Sequence, residues 1–308
     1  MRRNDGVLIS SAMKVLVTGA AGQLGGAIAS EFARGHEVVA LTRQQLDLAD
    51  HERVLGLVGE ARPSVIVNCA GYNDVDGTEE AAVDALTVNA LAARSLARGA
   101  MEAGATLVHY STDFVFDGTA TTPYVEEQRP NPQNIYAMSK LMGEWFATGA
   151  SPHYVLRVES LFGGLSDRSS SVRATIKRKS SVDRIVDAII DGREARVFVD
   201  RVVSPAYVDD VAIATRAIVE RGPPEGLYHC ANSGMATWLE LAGEVARQLG
   251  REGRLVPISV ADVRQKARRP QFCALSNAKL ASVGVTMPTW QDGLTRYLTA
   301  RSLPSTES

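Results

Sequence analysis

The sequence predicts an α/β protein, a doubly wound parallel sheet with a smaller, interleaved C-terminal lobe. Up to about residue 160, short apolar strand patterns alternate with longer amphipathic stretches, as βα units winding a parallel sheet require. The first of these units passes from strand to helix through Gly19-Ala20-Ala21-Gly22-Gln23-Leu24-Gly25-Gly26. After residue 160 the elements shorten and mix with loops, and a length of 308 residues accommodates one large domain with a second lobe.

Composition narrows the function classes. The apolar fraction is 45% and the net charge −2, ordinary for a globular protein and without the basic excess of a general nucleic-acid binder. Three scattered cysteines, Cys69, Cys230 and Cys273, contain no Cys-x-x-Cys pair, so neither a disulfide framework nor a metal cluster is expected, and a reducing, cytoplasmic setting fits. The apolar run Val7-Leu8-Ile9 is too short for a signal peptide, and no stretch has the length of a membrane span. Residues 1–12 read as a disordered extension or an upstream start preceding Met13, and residues 304–308 as a loose tail.

In order, Lys14–Thr18 is a buried-strand pattern and the glycine turn leads into an amphipathic helix. That context suits a dinucleotide pyrophosphate: the glycines allow a tight turn and close backbone approach, and the helix N-terminus offers unpaired N–H groups. The Rossmann-like reading follows from this turn, with Gly19, Gly22, Gln23, Leu24 and Gly25 as candidate cofactor contacts. A second strand, Glu37–Leu41, is followed by Thr42-Arg43-Gln44. No carboxylate stands there to hold a ribose 2′-hydroxyl, while Arg43 suits a 2′-phosphate, so NADP(H) is favoured and NAD(H) is the alternative. A helix capped by Asp50 and a third strand, Ser64–Val67, run into Asn68-Cys69-Ala70-Gly71-Tyr72, whose small residues let a flat ligand lie against backbone or simply pack tightly.

A helix is expected over roughly Glu79–Ala103, with Asn89 as a buried polar group in need of partners. The fourth strand, Thr106–Tyr110, ends in Ser111-Thr112-Asp113, where the Thr112 hydroxyl suits either a substrate carbonyl or a turn cap. After Arg129-Pro130-Asn131-Pro132 a helix begins near Tyr136, placing Tyr136 and Lys140 on one face. The cation is expected to lower the phenol pKa and ready it for proton transfer. A fifth strand, Tyr154–Val158, precedes a basic segment, Ser166–Ser181, readable as a solvated loop or as a lid over phosphates. Helices near Val182–Ile190 and from Asp209, strands Arg196–Val199 and Gly226–Cys230, a helix capped by Thr237, the basic stretch Arg264–Arg269 and two last helices complete the chain. The expected division is a dinucleotide domain over 13–160 and a substrate lobe over 161–303, with segments near 196–215 returning to the first domain.

Together, the Gly19–Gly25 turn, Ser111-Thr112-Asp113 and Tyr136-Ala-Met-Ser-Lys140 resemble the extended short-chain dehydrogenases/reductases. The chain is most similar to the dTDP-4-dehydrorhamnose reductase family, through Asn68–Asp76, Tyr110–Gly118, Ser139–Glu144, Val203–Val211, Gly226–His229 and Arg269-Pro270, essentially from Met13 to Arg301. The resemblance implies reduction of the C4 ketone of a nucleotide-linked 4-keto-6-deoxysugar. It implies Thr112, Tyr136 and Lys140 as catalytic hydroxyl, acid and lysine, with Tyr136 and Lys140 also touching cofactor. It implies Asp47 and Leu48 at adenine, Ala70, Gly71 and Tyr72 along the cofactor, Val75, Asp76 and Ser160 at the sugar, Arg269 at the phosphates, no metal, and leaves a homodimer open.

The chain departs from the family pattern towards the substrate. Arg-Thr-Ser-Trp becomes Arg157-Val158-Glu159-Ser160, Asp-Gln becomes Asp200-Arg201, and Pro-Thr becomes Pro205-Ala206. The resemblance therefore carries the reduction chemistry further than the identity of the sugar. Two other readings remain on the same fold. An epimerase or dehydratase is weakened because Phe114 puts no second carboxylate after Asp113, and a non-catalytic subunit resembling the regulatory partner of methionine adenosyltransferase is weakened by the intact Thr112, Tyr136 and Lys140.

Overall fold

The computed structural model describes residues 12–164 and 179–302. The expected N-terminal extension, the tail and most of the basic Ser166–Ser181 segment lie outside the described residues. Six strands form one parallel sheet: β1 (Lys14–Thr18), β2 (Glu37–Leu41), β3 (Val65–Asn68), β4 (Thr106–Thr112), β5 (His153–Val158) and, from late in the chain, Gly226–His229. The spatial order runs from Gly226–His229 through β5, β4, β3 and β1 to β2. From β1 the winding goes one way to β2 and the other way to β3, so the switch point lies between β1 and β3. A crevice for a ligand is expected outside the carboxyl ends of those strands.

The strand interiors are mostly apolar because helices cover both faces. Val15 and Val17 join one core layer with Ile28, Phe32 and Val211. Leu16 and Ile66 join the other with Leu96 and Leu107. Helix α1 (Gln23–Phe32) serves the first face, and α2 (His51–Ala61) the second. Asp50 caps α2 by accepting from Arg53 N at 2.9 Å.

The helix expected over Glu79–Ala103 runs without interruption from Ala82 to Ala103, with a π turn inside it. A 3-10 turn at Gly77–Glu79 precedes α3 (Ala82–Leu86), a π turn at Thr87–Leu91 and α4 (Ala92–Ala103). Asn89 sits in the π turn, where its amide accepts from Tyr72 N at 2.8 Å and donates to Tyr72 O at 3.1 Å and Ser139 Oγ at 2.9 Å. Those bonds satisfy the buried amide and lock the post-β3 loop onto α5 (Ile135–Ala147).

The lobe has its own core of Val186, Val197, Leu241, Val245 and Leu294. It is built from β6 (Leu161–Phe162), α6 (Ser181–Ile190), β7 (Ala195–Phe198), β8 (Val202–Val203) and β9 (Ala206–Tyr207). After α7 (Val208–Arg221) and β10 (Gly226–His229) come β11 (Ala236–Thr237), α8 (Trp238–Leu249), β12 (Leu255–Ile258), α9 (Ala278–Ser282) and α10 (Trp290–Ser302).

The segment that returns to the main sheet differs from the expected 196–215. Strand β7 pairs with β12 and stays in the lobe, because Ala195 and Val197 turn into the lobe core. The return begins at α7, and β10 then completes the sheet edge beside β5. Among the described residues, no helix is long and apolar enough to cross a membrane.

Candidate active site

The first half of the site is the turn after β1. Gly19 has φ +67°, the left-handed region where a side chain is strained, and a Cβ there would lie 2.8 Å from Ala70 backbone across the switch point. A Cβ on Gly25 would approach Gly19 O to 2.2 Å. No side chain caps α1 at Gly22, so its first-turn N–H groups remain for a ligand. This cradle, closed to side chains and rimmed by N–H donors, fits a dinucleotide pyrophosphate.

Gln23 donates to Gly163 O at 2.7 Å, tying the turn to the segment after β6. The side chains of Leu24 and Leu48 are buried in the two core layers. Arg43 is exposed at the end of β2, 3.9 Å from the Asp47 carboxylate, a separation at which an exposed pair contributes little. Beyond β3, Ala70, Gly71 and Tyr72 line the loop held by Asn89. Thr18 donates to Asn68 Oδ1 at 2.7 Å, and the Asn68 amide meets His109 Nδ1 at 3.0 Å, fixing the three strand ends in register.

The second half lies where β4 meets α5. Asn134 caps α5 by accepting from Ala137 N at 2.7 Å and donates to Arg268 O at 2.8 Å. The cap orients the first turn and so aims Tyr136. The Thr112 hydroxyl lies close enough to Tyr136 to act on the phenol, and Phe114 meets the phenol edge-on at 5.9 Å. Burial raises the Tyr136 pKa, the Thr112 hydrogen bond lowers it and the Asp113 charge raises it.

The expected lowering by Lys140 is not seen. The Lys140 ammonium donates instead to Tyr110 O, and burial brings its own pKa down to about 8, with Glu144 and Cys69 pulling it back up. At neutral pH Tyr136 is a protonated phenol, the form an acid needs.

Of the two roles that its position allowed, Thr112 takes the turn cap here. It caps the turn by accepting from Phe114 N at 3.2 Å, and it donates to Asp113 Oδ1 at 2.9 Å. Beneath it, Ser111 and Arg157 both bind Glu144, the guanidinium through bonds of 2.8 and 2.7 Å. Asp76 and Arg269, expected at sugar and phosphate respectively, bind each other through two bonds of 2.9 and 2.8 Å. Arg269 holds the Asp76 carboxyl below its usual range. Val75 serves this turn through its carbonyl, which accepts from Thr78 at 2.7 Å. Ser160 sits at φ +40°, half-buried beside Glu159.

Three residues escaped the sequence reading as site residues: Glu159, Arg201 and Cys273. With Asp113, the Glu159 and Cys273 side chains are buried and their polar atoms lie within 4.8 Å of one another. Arg201, buried next to them, acts electrostatically on both carboxyls. The signal was present in the departures at Glu159 and Arg201. It also overturns one argument: the second carboxylate missing at Phe114 is supplied beside Asp113 by Glu159.

On its other side Arg201 lines a cavity of about 490 Å³ with Arg184, Arg196, Phe198 and Trp238. Lys179 and Arg193 add to the cations of the lining, which also holds Asp187, paired with Lys179, and Glu194.

The chain matches the RmlD substrate binding domain over residues 13–302. It belongs to that family. A dTDP-4-dehydrorhamnose reductase of Mycolicibacterium smegmatis is 34% identical over 288 residues, 92% of this chain and 84% of the relative. A probable dTDP-4,6-dihydroxy-2-methyloxan-3-one 4-ketoreductase of Streptomyces antibioticus is 35% identical over 287 residues, covering 92% and 93%. Among solved structures, a dTDP-4-dehydrorhamnose reductase of Bacillus anthracis in complex with NADP superposes with a TM-score of 0.86 at 29% identity, covering 94% of this chain and 99% of that one. The Rossmann-like fold expected of the family is the one observed.

Proposed function

We propose that the chain is an NAD(P)H-dependent reductase of the C4 ketone of a nucleotide-linked 4-keto-6-deoxysugar. The observation that carries this is the meeting of Thr112 with a protonated Tyr136 at the carboxyl end of β4, on the sheet whose first turn is a phosphate cradle. Both relatives named above as reductases act at a 4-keto position by their names, which agrees with this reading.

The Gly19–Gly25 turn would hold the pyrophosphate, Asp47 and Leu48 would border the adenine, and Ala70, Gly71 and Tyr72 would flank the cofactor. NADP is favoured by the exposed Arg43 after β2 and by the NADP found in the Bacillus anthracis relative; NAD is the alternative. Bound nicotinamide supplies the hydride. Tyr136 gives its proton to the ketone oxygen as charge develops there, Thr112 positions that oxygen, and Lys140 would hold the nicotinamide ribose. Preorganised groups of this kind each lower a barrier by about 3–4 kcal/mol. The cation-lined cavity beside Arg201 would take the diphosphate end, with the Phe198 and Trp238 rings nearby for the base. Arg269 would reach phosphate only by sharing or leaving Asp76, and Val75, Asp76 and Ser160 would border the sugar.

NADPH oxidation against a panel of 4-keto-6-deoxy nucleotide sugars tests the proposal. Turnover by at least one member is expected, and none across the panel would refute it. One observation favours a second reading, a dehydratase or epimerase: the carboxyl pair Asp113–Glu159. Those enzymes keep oxidised cofactor through the cycle, so NAD⁺ that stays bound through purification would favour them.

A further inference from the structure

The Asp113–Glu159 pair is a buried charged cluster that the reduction mechanism as derived leaves without a task. It is assembled from four segments. Asp113 follows β4, Glu159 follows β5, Arg201 precedes β8 and Cys273 precedes α9. All four side chains are buried. Glu159 accepts from Ser204 N and from Ser160 Oγ at 3.5 Å, the Cys273 thiol donates to Pro270 O at 3.6 Å, and one Asp113 oxygen and Arg201 Nε have no partner among the described residues.

Two carboxyls this close in a low-dielectric interior do not both ionise. One proton shared between them, balanced by one guanidinium, leaves the cluster neutral. Arg201 also supplies the positive charge that a metal ion would otherwise bring to the two carboxyls and the thiol.

A hydroxyl has one proton to donate. While Asp113 is ionised, Thr112 gives its proton to Asp113 and can only accept from other groups. When Asp113 holds the shared proton, Thr112 is free to donate towards Tyr136. The protonation state of the carboxyl pair therefore sets the direction of the Thr112 hydrogen bond.

We propose that Asp113 and Glu159 are positioning residues that store the proton replacing the one Tyr136 gives up in each turnover. The inference rests on the reductase reading. In the transfer, the Tyr136 O–H breaks and its proton joins the alkoxide oxygen. The Thr112 proton then moves to the Tyr136 oxygen while the proton held by the carboxyl pair passes from Glu159 through Asp113 to Thr112. The pair regains a proton from water after product leaves, so one solvent proton is consumed per ketone reduced.

Groups facing the pair are Thr112 and Tyr136 from β4 and α5, Ser160 and Ser204 from the adjoining turns, and Arg201 and Cys273. In that setting burial brings the Asp113 pKa up to about 6, with the Cys273 and Thr112 hydrogen bonds opposing it. Burial and then the Asp113 charge push Glu159 well above the carboxylate range. The pair thus keeps one proton at neutral pH, resting on Glu159, while Asp113 is the ionised member to which Thr112 donates.

The test is Glu159→Gln in the full chain. Without Glu159 to share its proton, Asp113 beside Arg201 ionises at lower pH, so the alkaline limb of kcat should move to lower pH by about one unit. Turnover at pH 8 should fall about tenfold or more, with KM for NADPH unchanged. Proton inventories in H2O/D2O mixtures should be curved for wild type, from several moving protons, and linear for the variant. Independently of turnover, infrared spectra of wild type at pH 7 should show the C=O stretch of a buried protonated carboxyl, absent in Glu159→Gln.

Wild-type turnover with an unchanged pH limb in the variant overturns the proton store and leaves the reductase reading intact. A wild-type spectrum without the carboxyl band overturns it too, whether or not a substrate has been found. Should the variant fold poorly, the wild-type inventory and spectrum decide alone.

Discussion

Gly25→Ala is the sharpest test of the cofactor turn. A Cβ built on Gly25 lies 2.2 Å from Gly19 O and 2.7 Å from Gly19 C, both backbone atoms, where ordinary contact begins at 3.4 Å. Relief requires the turn and the start of α1 to separate by about 1 Å, and overpacking of this kind costs about 1–3 kcal/mol. The same shift moves the α1 N–H groups away from a pyrophosphate. Loss of even one charge-assisted bond, about 1.5–3 kcal/mol, weakens NADPH binding about tenfold or more. Gly56→Ala in α2 is the control, because a Cβ there meets nothing within 4 Å. It should stabilise the helix by up to about 1 kcal/mol and leave NADPH affinity unchanged. Fluorescence titration with NADPH and urea unfolding measure the two effects. Wild-type affinity in Gly25→Ala would refute the assignment of the turn.

Other consequences are open to measurement. Glu144→Gln leaves the Arg157 guanidinium buried without its carboxylate and should cost about 3–5 kcal/mol in urea unfolding; a loss under 1 kcal/mol contradicts that. Arg43→Ala should reduce the preference for NADPH over NADH about tenfold, read as the ratio of kcat/KM values, and an unchanged ratio removes Arg43 from the 2′-phosphate. Burial holds the folded Lys140 pKa at about 8, below the ordinary lysine value of 10.5. Between these values the unfolded chain binds more protons, so this group makes stability rise with pH. In Lys140→Met the rise in urea midpoint from pH 8 to 10 should be smaller than in wild type, and an identical slope contradicts the assignment.

Much of this fold was legible because its strands are buried on both faces and its glycines stand between strand and helix. The caps at Asp50 and Thr237 followed from local patterns, whereas the approach of Tyr136 to Thr112 was implied only by the family resemblance. The placement of β10 was not legible: Gly-Leu-Tyr-His announces a strand, and nothing local says that it pairs with β5. The π turn was hidden because it is set by the need of Asn89 to reach Tyr72 and Ser139, two contacts distant in sequence. Helical spacing placed Lys140 near Tyr136 but could not show that its ammonium is turned to Tyr110 O. The cluster around Asp113 was the least legible, since it exists only where four separate segments converge.

The most direct test of the central claim compares wild type with Tyr136→Phe. NADPH oxidation is followed with each 4-keto-6-deoxy nucleotide sugar, and NADPH affinity is measured in parallel. The account predicts that wild type reduces at least one such ketone, while Tyr136→Phe binds NADPH nearly as tightly and turns over at least ~100-fold more slowly. Equal turnover by the two proteins would contradict it.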